Sequence, residues 1–228
     1  MITAALSAAG LLPSMAQVFS VNAVGYVNIS VPANGYAIVS NPLNGNPNND
    51  LNTTLPLPDQ YTGASVYRFN PATQGYRDTM QWVGGVGWLA SDPADLIVNP
   101  GEGFFLQNVA GVALTATMVG EVPSGTTANP IRGNNAYQIR SAVVPKGLPL
   151  GWVGLANSLE FPADTGDSVF IFDAATQQYK DTVQYVDGVG WLSSDYPVEG
   201  PTIQPGTGFF IQKVAPDRSW SMTFNVGS

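Results

Sequence analysis

Residues 63–107 read GASVYRFNPATQGYRDTMQWVGGVGWLASDPADLIVNPGEGFFLQ, and residues 166–212 read GDSVFIFDAATQQYKDTVQYVDGVGWLSSDYPVEGPTIQPGTGFFIQ. Set one over the other, Val66, Phe69, Thr73, Gln74, Tyr76, Asp78, Thr79, Gln81 and Val83 meet the same residue type 103 positions later, as does the whole of 85–89. We read this as a duplication. From Pro100 and Pro205 onward the offset is 105, which places a two-residue insertion in the loop after Asp92 and Asp195, where a surface loop tolerates it.

Working outward, the text before each copy is also strand text. Residues 26–31 alternate Val27, Ile29 and Val31 against Asn28 and Ser30. Residues 32–35 supply a turn, 36–40 a second strand, and Asn41-Pro42 ends it. In the second copy, residues 137–145 and 151–159 take these places. Residues 44–61 are Asn- and Pro-rich and read as a surface loop or an excursion. Inside the repeat a meander follows: strand 65–69, a turn at 70–75, and an alternating strand 76–83 with Tyr76, Asp78, Met80 and Trp82 on one face. Gly84-Gly85, matched by Asp187-Gly188, signals a tight hairpin with a primed turn. Strands 86–90, 104–107 and 112–119 complete the unit. No apolar stripe of helical period runs through the chain after residue 16.

The fold class is therefore all-β, as two tandem duplicated β-sandwich or small-barrel domains. We place domain 1 at 17–122, a linker at 123–130 (within EVPSGTTANP) and domain 2 at 131–228. Residues 1–16 form an apolar run closed by Ser14-Met15-Ala16, the pattern of a signal peptide, though no Lys or Arg precedes the run. Maturation is expected near Gln17. No other run reaches the ~18 apolar residues of a spanning helix, so no membrane span is expected in the mature chain.

Composition narrows the function. The chain has no cysteine and no histidine, which excludes disulfides, thiolate chemistry and His-based triads, and argues against zinc. Charged residues are 11% and the net charge is −8, so nucleic acid and anionic membrane surfaces are disfavoured as partners. Asn, Gln, Ser, Thr, Gly and Pro replace the missing charge, a surface suited to assembly or to sugar.

At VNAVGYVNISVP (21–32), GYAIVSNPL (35–43), VYRFN (66–70), PGEGFFLQN (100–108) and MVGEVPSG (118–125), the chain resembles a family of exported β-rich proteins of Verrucomicrobia-type bacteria. The match covers most of copy one and, more loosely, copy two, which has Asn157-Ser158-Leu159 for NPL and Thr207 for Glu102. The resemblance implies export and a domain type, not an activity. Members often end in a hydrophobic sorting helix with a basic tail. The text up to Ser228 carries none, so release or assembly is expected rather than anchoring.

The candidate ligand-binding residues are Trp88, Trp191, Tyr76 and Tyr179, aromatic at matching places in both copies and able to stack on sugar faces if exposed; the alternative is core packing. Asp78, Asp181, Asp92 and Asp195 offer oxygens for calcium, but no calcium loop is present and capping of backbone N–H groups is the simpler role. A glycosidase needs two carboxylates facing a scissile bond, but copy two keeps neither an equivalent of Glu102 nor a cleft signature. PGEGFF and PGTGFF precede strands, not helices, and so are not phosphate loops. The expectation is a non-enzyme with no catalytic residue, no metal and no cofactor. It is read as an extracellular structural protein, partnering itself in a filament or surface layer through Val18, Phe19, Val21, Val27, Ile29 and Val31. A carbohydrate-binding module, with polysaccharide as partner, is the alternative.

Overall fold

A computed structural model describes residues 23–226. The stretch read as a signal peptide, and Val18, Phe19 and Val21, lie outside these residues. The first copy runs β1 (Val24–Val31), β2 (Tyr36–Ser40), a short helix α1 (Leu51–Thr54), β3 (Ser65–Tyr67), β4 (Phe69–Asn70), β5 (Gly75–Tyr76), β6 (Met80–Val83), β7 (Gly87–Leu89), β8 (Gly103–Gln107) and β9 (Leu114–Glu121). The second runs β10 (Gly125–Ile131), β11 (Ala136–Arg140), β12 (Leu148–Pro149), β13 (Ser168–Phe170), β14 (Phe172–Asp173), β15 (Gln178–Tyr179), β16 (Val183–Val186), β17 (Gly190–Leu192), β18 (Thr202–Ile203), β19 (Phe209–Lys213) and β20 (Arg218–Phe224). The fold is all-β. Among the described residues no sheet closes into a barrel.

Two five-stranded antiparallel sheets have the same order, β2-β8-β3-β6-β7 and β11-β19-β13-β16-β17. Each is covered by a two-stranded ribbon, β1-β9 or β10-β20. The alternation seen in the sequence sets the faces: Ile29 and Val31 of β1 and Leu114, Ala116 and Met118 of β9 point inward, onto Phe104, Leu106, Met80 and Trp88. In the second copy Ile131, Trp220 and Met222 of the ribbon meet Phe209, Ile211, Val183 and Trp191.

Several expectations are corrected. The linker text contains β10, a full strand paired with β20 from Gly125↔Phe224 to Ile131↔Arg218. Its polar residues mislead because a two-stranded ribbon needs only one buried row, here Asn129 and Ile131, and tolerates Pro130 at an edge. Conversely 151–159 holds no strand; β11 is the counterpart of β2. The excursion 44–61 is no mere surface loop. Asp50 caps α1 by accepting from Asn52 N (2.8 Å), and Leu51, Leu55, Leu57 and Tyr61 close one end of the core. The strand read over 76–83 is broken at 77–79, so Tyr76 does not share the buried face of Met80 and Trp82. The hairpins after β6 and β16 are three-residue loops with positive φ at Gly85 and Gly188 but not at Gly84 or Asp187, hence not primed two-residue turns.

The outer faces of the two five-stranded sheets pack against each other. Ile38, Ile139 and Phe210 are buried there, with Phe69, Phe105, Phe170 and Phe172 half-buried around them. Backbone hydrogen bonds cross the same seam in reciprocal pairs: Ser40 N donates to Gly206 O (2.9 Å) and Ser141 N to Gly101 O (3.0 Å).

Candidate functional site

Trp88 and Trp191 are 2% and 1% exposed, and their indole N–H groups donate to Leu55 O (2.7 Å) and Gly151 O (2.9 Å). They are core residues and cannot stack on a ligand. The physical reason is position: each stands on the inward side of a three-residue strand under the ribbon or excursion. Tyr76 and Tyr179 are the opposite case, 53% and 47% exposed. Of the residues read as assembly points, Ile29 and Val31 are buried and Val27 half-buried, and β1 already pairs with β9 over its whole length. Strand exchange through these side chains would require that pairing and core to open.

The structure brings Tyr76 and Tyr179 together at the seam. Each ends a two-residue strand, after a turn whose fourth residue is Gln74 or Gln177. Both glutamines sit in the left-handed region, with φ of 56° and 58°, a conformation that costs a non-glycine residue of order 1 kcal/mol. Each is held by a bond within its own turn, Gln74 Nε2 to Pro71 O (2.8 Å) and Gln177 Nε2 to Ala174 O (2.6 Å), and by contact with the other copy. Gln74 Oε1 accepts from Tyr137 N (2.9 Å) and its Nε2 donates to Tyr137 O (3.2 Å). Gln177 Oε1 accepts from Tyr36 N (2.8 Å) and its Nε2 donates to Tyr36 O (2.9 Å). A side-chain amide thus serves each edge strand as if it were one more residue of a ladder.

Two aromatic grooves result. One, about 490 Å³, is lined by Tyr36, Tyr67, Tyr76, Phe105, Phe172 and Gln177. The other, about 340 Å³, is lined by Tyr76, Tyr137, Phe170, Tyr179 and Phe210. Tyr76 borders both. Its ring meets Phe69 edge-on at 5.3 Å, as Tyr179 meets Phe172 at 5.4 Å, so each exposed ring is braced from beneath. Burial raises the Tyr76 hydroxyl above its ordinary value; burial, then the nearby Tyr76, pushes Tyr179 up to about 12. Both phenols stay protonated and can donate at any ordinary pH. Tyr67, which lines the larger groove, donates its Oη to Gln107 Oε1 (2.7 Å).

The remaining candidates fall elsewhere. Asp92 accepts from Ala94 N (2.9 Å), a cap; Asp181 Oδ2 accepts from Ser194 Oγ (2.5 Å), and Asp195 Oδ2 from Asp181 N (3.3 Å). Among the described residues no cluster of three or more His, Cys, Asp or Glu is placed to hold a metal ion, and no helix is long and apolar enough to cross a membrane. Glu102 pairs with Arg68 (3.1 Å) and accepts from Asn99 N (2.9 Å).

Sequence reasoning missed Tyr36, Tyr67, Phe105, Tyr137, Phe170 and Phe210, and the two glutamines. One signal was available: Phe104-Phe105 and Phe209-Phe210 place large rings on consecutive residues, so both faces of that strand must be covered. No protein-family model, no curated protein and no solved structure matches the chain.

Proposed function

We propose that the chain is an exported, non-catalytic protein that binds glycan in the aromatic grooves of the seam. The observation that carries this is the pair of open grooves sharing Tyr76, each within the ~300–1,000 Å³ range of small-molecule sites. The face of an aromatic ring is electron-rich and meets the C–H face of a sugar ring favourably. The protonated hydroxyls of Tyr76 and Tyr179 suit sugar hydroxyls. Braced rings lose little freedom on binding, which favours affinity. Tyr76→Ala is expected to weaken retention in affinity electrophoresis on a polysaccharide panel for both grooves at once, and Tyr179→Ala for one. Wild-type migration unaffected by every polysaccharide, or retention unchanged in the Tyr76→Ala, Tyr179→Ala double variant, would sink this reading.

A second reading, the self-assembling structural subunit, is favoured by one specific feature. On the outer face of the β1-β9 ribbon, Val24, Tyr26 and Val119 are exposed together, with Tyr26 opposite Val119. In the β10-β20 ribbon the cross-strand pair Thr126 and Thr223 share a hydrogen bond (2.8 Å) instead. If this stripe joins subunits, Tyr26→Ser lowers the sedimentation coefficient of the native protein; a monomer in both wild type and variant excludes it.

A further inference from the structure

Three of the chain's eight lysines and arginines, Arg68, Arg77 and Arg140, converge on one cavity of about 140 Å³ at the seam. By the ~30 Å³ that a water occupies in the liquid, this is room enough for a small oxyanion. Arg68 and Arg140 are only 8% and 9% exposed. Arg68 is satisfied: Nη1 donates to Asp95 O (2.6 Å) and Nη2 to Glu102 Oε2 (3.1 Å). Arg77 Nη1 donates to Asp95 Oδ1 (2.6 Å). Arg140 is different. Its Nε donates to Gln138 Oε1 (3.0 Å), while among the described residues its two Nη groups have no hydrogen-bond partner. Three guanidinium groups stand against the two carboxylates of Glu102 and Asp95, one cation in excess. Burial works against the charge on Arg140, and Arg68 adds to that, with Glu102 opposing.

The other copy provides an internal control. The isolated bridge Glu102↔Arg140 has its counterpart in Val39↔Thr207, and β2 and β11 hold matching registers on β8 and β19. There the junction opens on a pocket of about 170 Å³ lined by Ala37, Val39 and Thr207, where the first has Gln138, Arg140 and Glu102. The fold therefore closes this junction without charge. The Nη groups of Arg140 are not among the buried unpartnered atoms, so these donors face the open cavity, where an anion can reach them.

We infer that the Arg68–Arg77–Arg140 cavity is an oxyanion site. Resting on the glycan reading above, it takes the carboxylate or sulfate of an acidic sugar whose ring lies on Tyr76. Phe69 connects the two places, lining the cavity and touching the Tyr76 ring, and Arg77 follows Tyr76 in the chain. The planar fork of Arg140 matches a carboxylate or sulfate. With a net charge of −8 the molecule repels a dense polyanion, whereas a single anionic group inside the cavity is screened from distant charges beyond the ~8 Å Debye length of physiological salt.

The test compares wild type with Arg140→Val, which installs the residue of the other junction, and with Arg140→Gln should the first fail to fold. The free-anion probe is sodium sulfate against sodium chloride at equal ionic strength, read as Tm. The glycan-borne probe is sparsely carboxymethylated dextran against plain dextran in affinity electrophoresis. At low millimolar concentration, below the range in which sulfate stabilises proteins generally, sulfate is expected to raise the Tm of wild type alone, and wild type to prefer the carboxymethylated polymer by about tenfold, roughly what one charge-assisted hydrogen bond supplies. Indifference of wild type to both sulfate and carboxymethyl groups overturns the oxyanion site, even where neutral glycans are retained through Tyr76. A sulfate response in wild type, lost in the variant, with neither polymer retained, upholds the site for a free anion and overturns its glycan-borne form.

Discussion

Tyr76 and Trp88 lie on one meander, and their chemistry alone does not separate them. Trp88 has a buried N–H with a backbone partner and apolar contacts all round, so Trp88→Ala is expected to cost about 3–5 kcal/mol, as other buried aromatic truncations do. Tyr76→Ala removes an exposed ring and one edge-on pair, about 1 kcal/mol. Urea denaturation of the two variants checks the contrast, and equal losses would refute this assignment of roles. The sequence marked both as repeated aromatics but could not sort them, because sorting depends on the break at 77–79 that turns Tyr76 away from the core. Gln74 was invisible for a related reason. Its left-handed φ belongs by propensity to Gly or Asn, and a glutamine is held there by Pro71 O in its own turn and by the Tyr137 backbone across the seam.

Among elements, the end of β19 shows how one position serves two chemistries. In copy one Asn108, after β8, is buried and its Nδ2 donates to Val31 O (3.4 Å), Pro32 O (3.0 Å) and Val112 O (2.8 Å). In copy two Lys213 occupies this place, fully buried, and donates to Asp167 Oδ2 (2.5 Å) and to Asp164, which also pairs with Arg218. Lys213→Ala leaves Asp167 buried without its cation, and a loss of about 3–5 kcal/mol is expected in thermal or urea unfolding. Hydrogen bonding from Arg218 in the first place holds Asp164 down to about 2, against burial, with Lys213 assisting. A depressed carboxylate stabilises the fold above its unfolded value of about 3.8, and that contribution disappears as pH falls toward 2. Wild type is therefore expected to exceed Asp164→Asn in stability by a constant margin above about pH 4, and acid titration should show that margin shrinking as pH falls toward 2. The strands that frame these groups were legible from alternation and turn chemistry. β10 was not, since TTANP lacks the apolar row that identifies a strand, and neither was the Arg68, Arg77 and Arg140 set, whose members meet only once β11 lies against the turn before β8.

At the scale of the molecule, the seam makes the two sheets interdependent. Truncating Phe210 removes a ring that packs on Phe69 (5.2 Å) in the other copy. Differential scanning calorimetry should therefore give one transition, with equal calorimetric and van't Hoff enthalpies. Two resolved transitions in wild type would show the halves unfolding independently. Replacing both Gln74 and Gln177 by Ala should speed hydrogen exchange at the amides of Tyr137 and Tyr36 before it affects amides in β6 or β16. The glutamine contacts carry a further meaning. Each copy bears, on a single face, both the amide hook and the edge strand that the hook grips. Such a surface is complementary to itself, the defining property of an isologous dimer interface. An ancestor with one copy was thus equipped to pair with its twin. Joining the genes made the twins a single chain, and only then could one junction hold arginines while the other is uncharged.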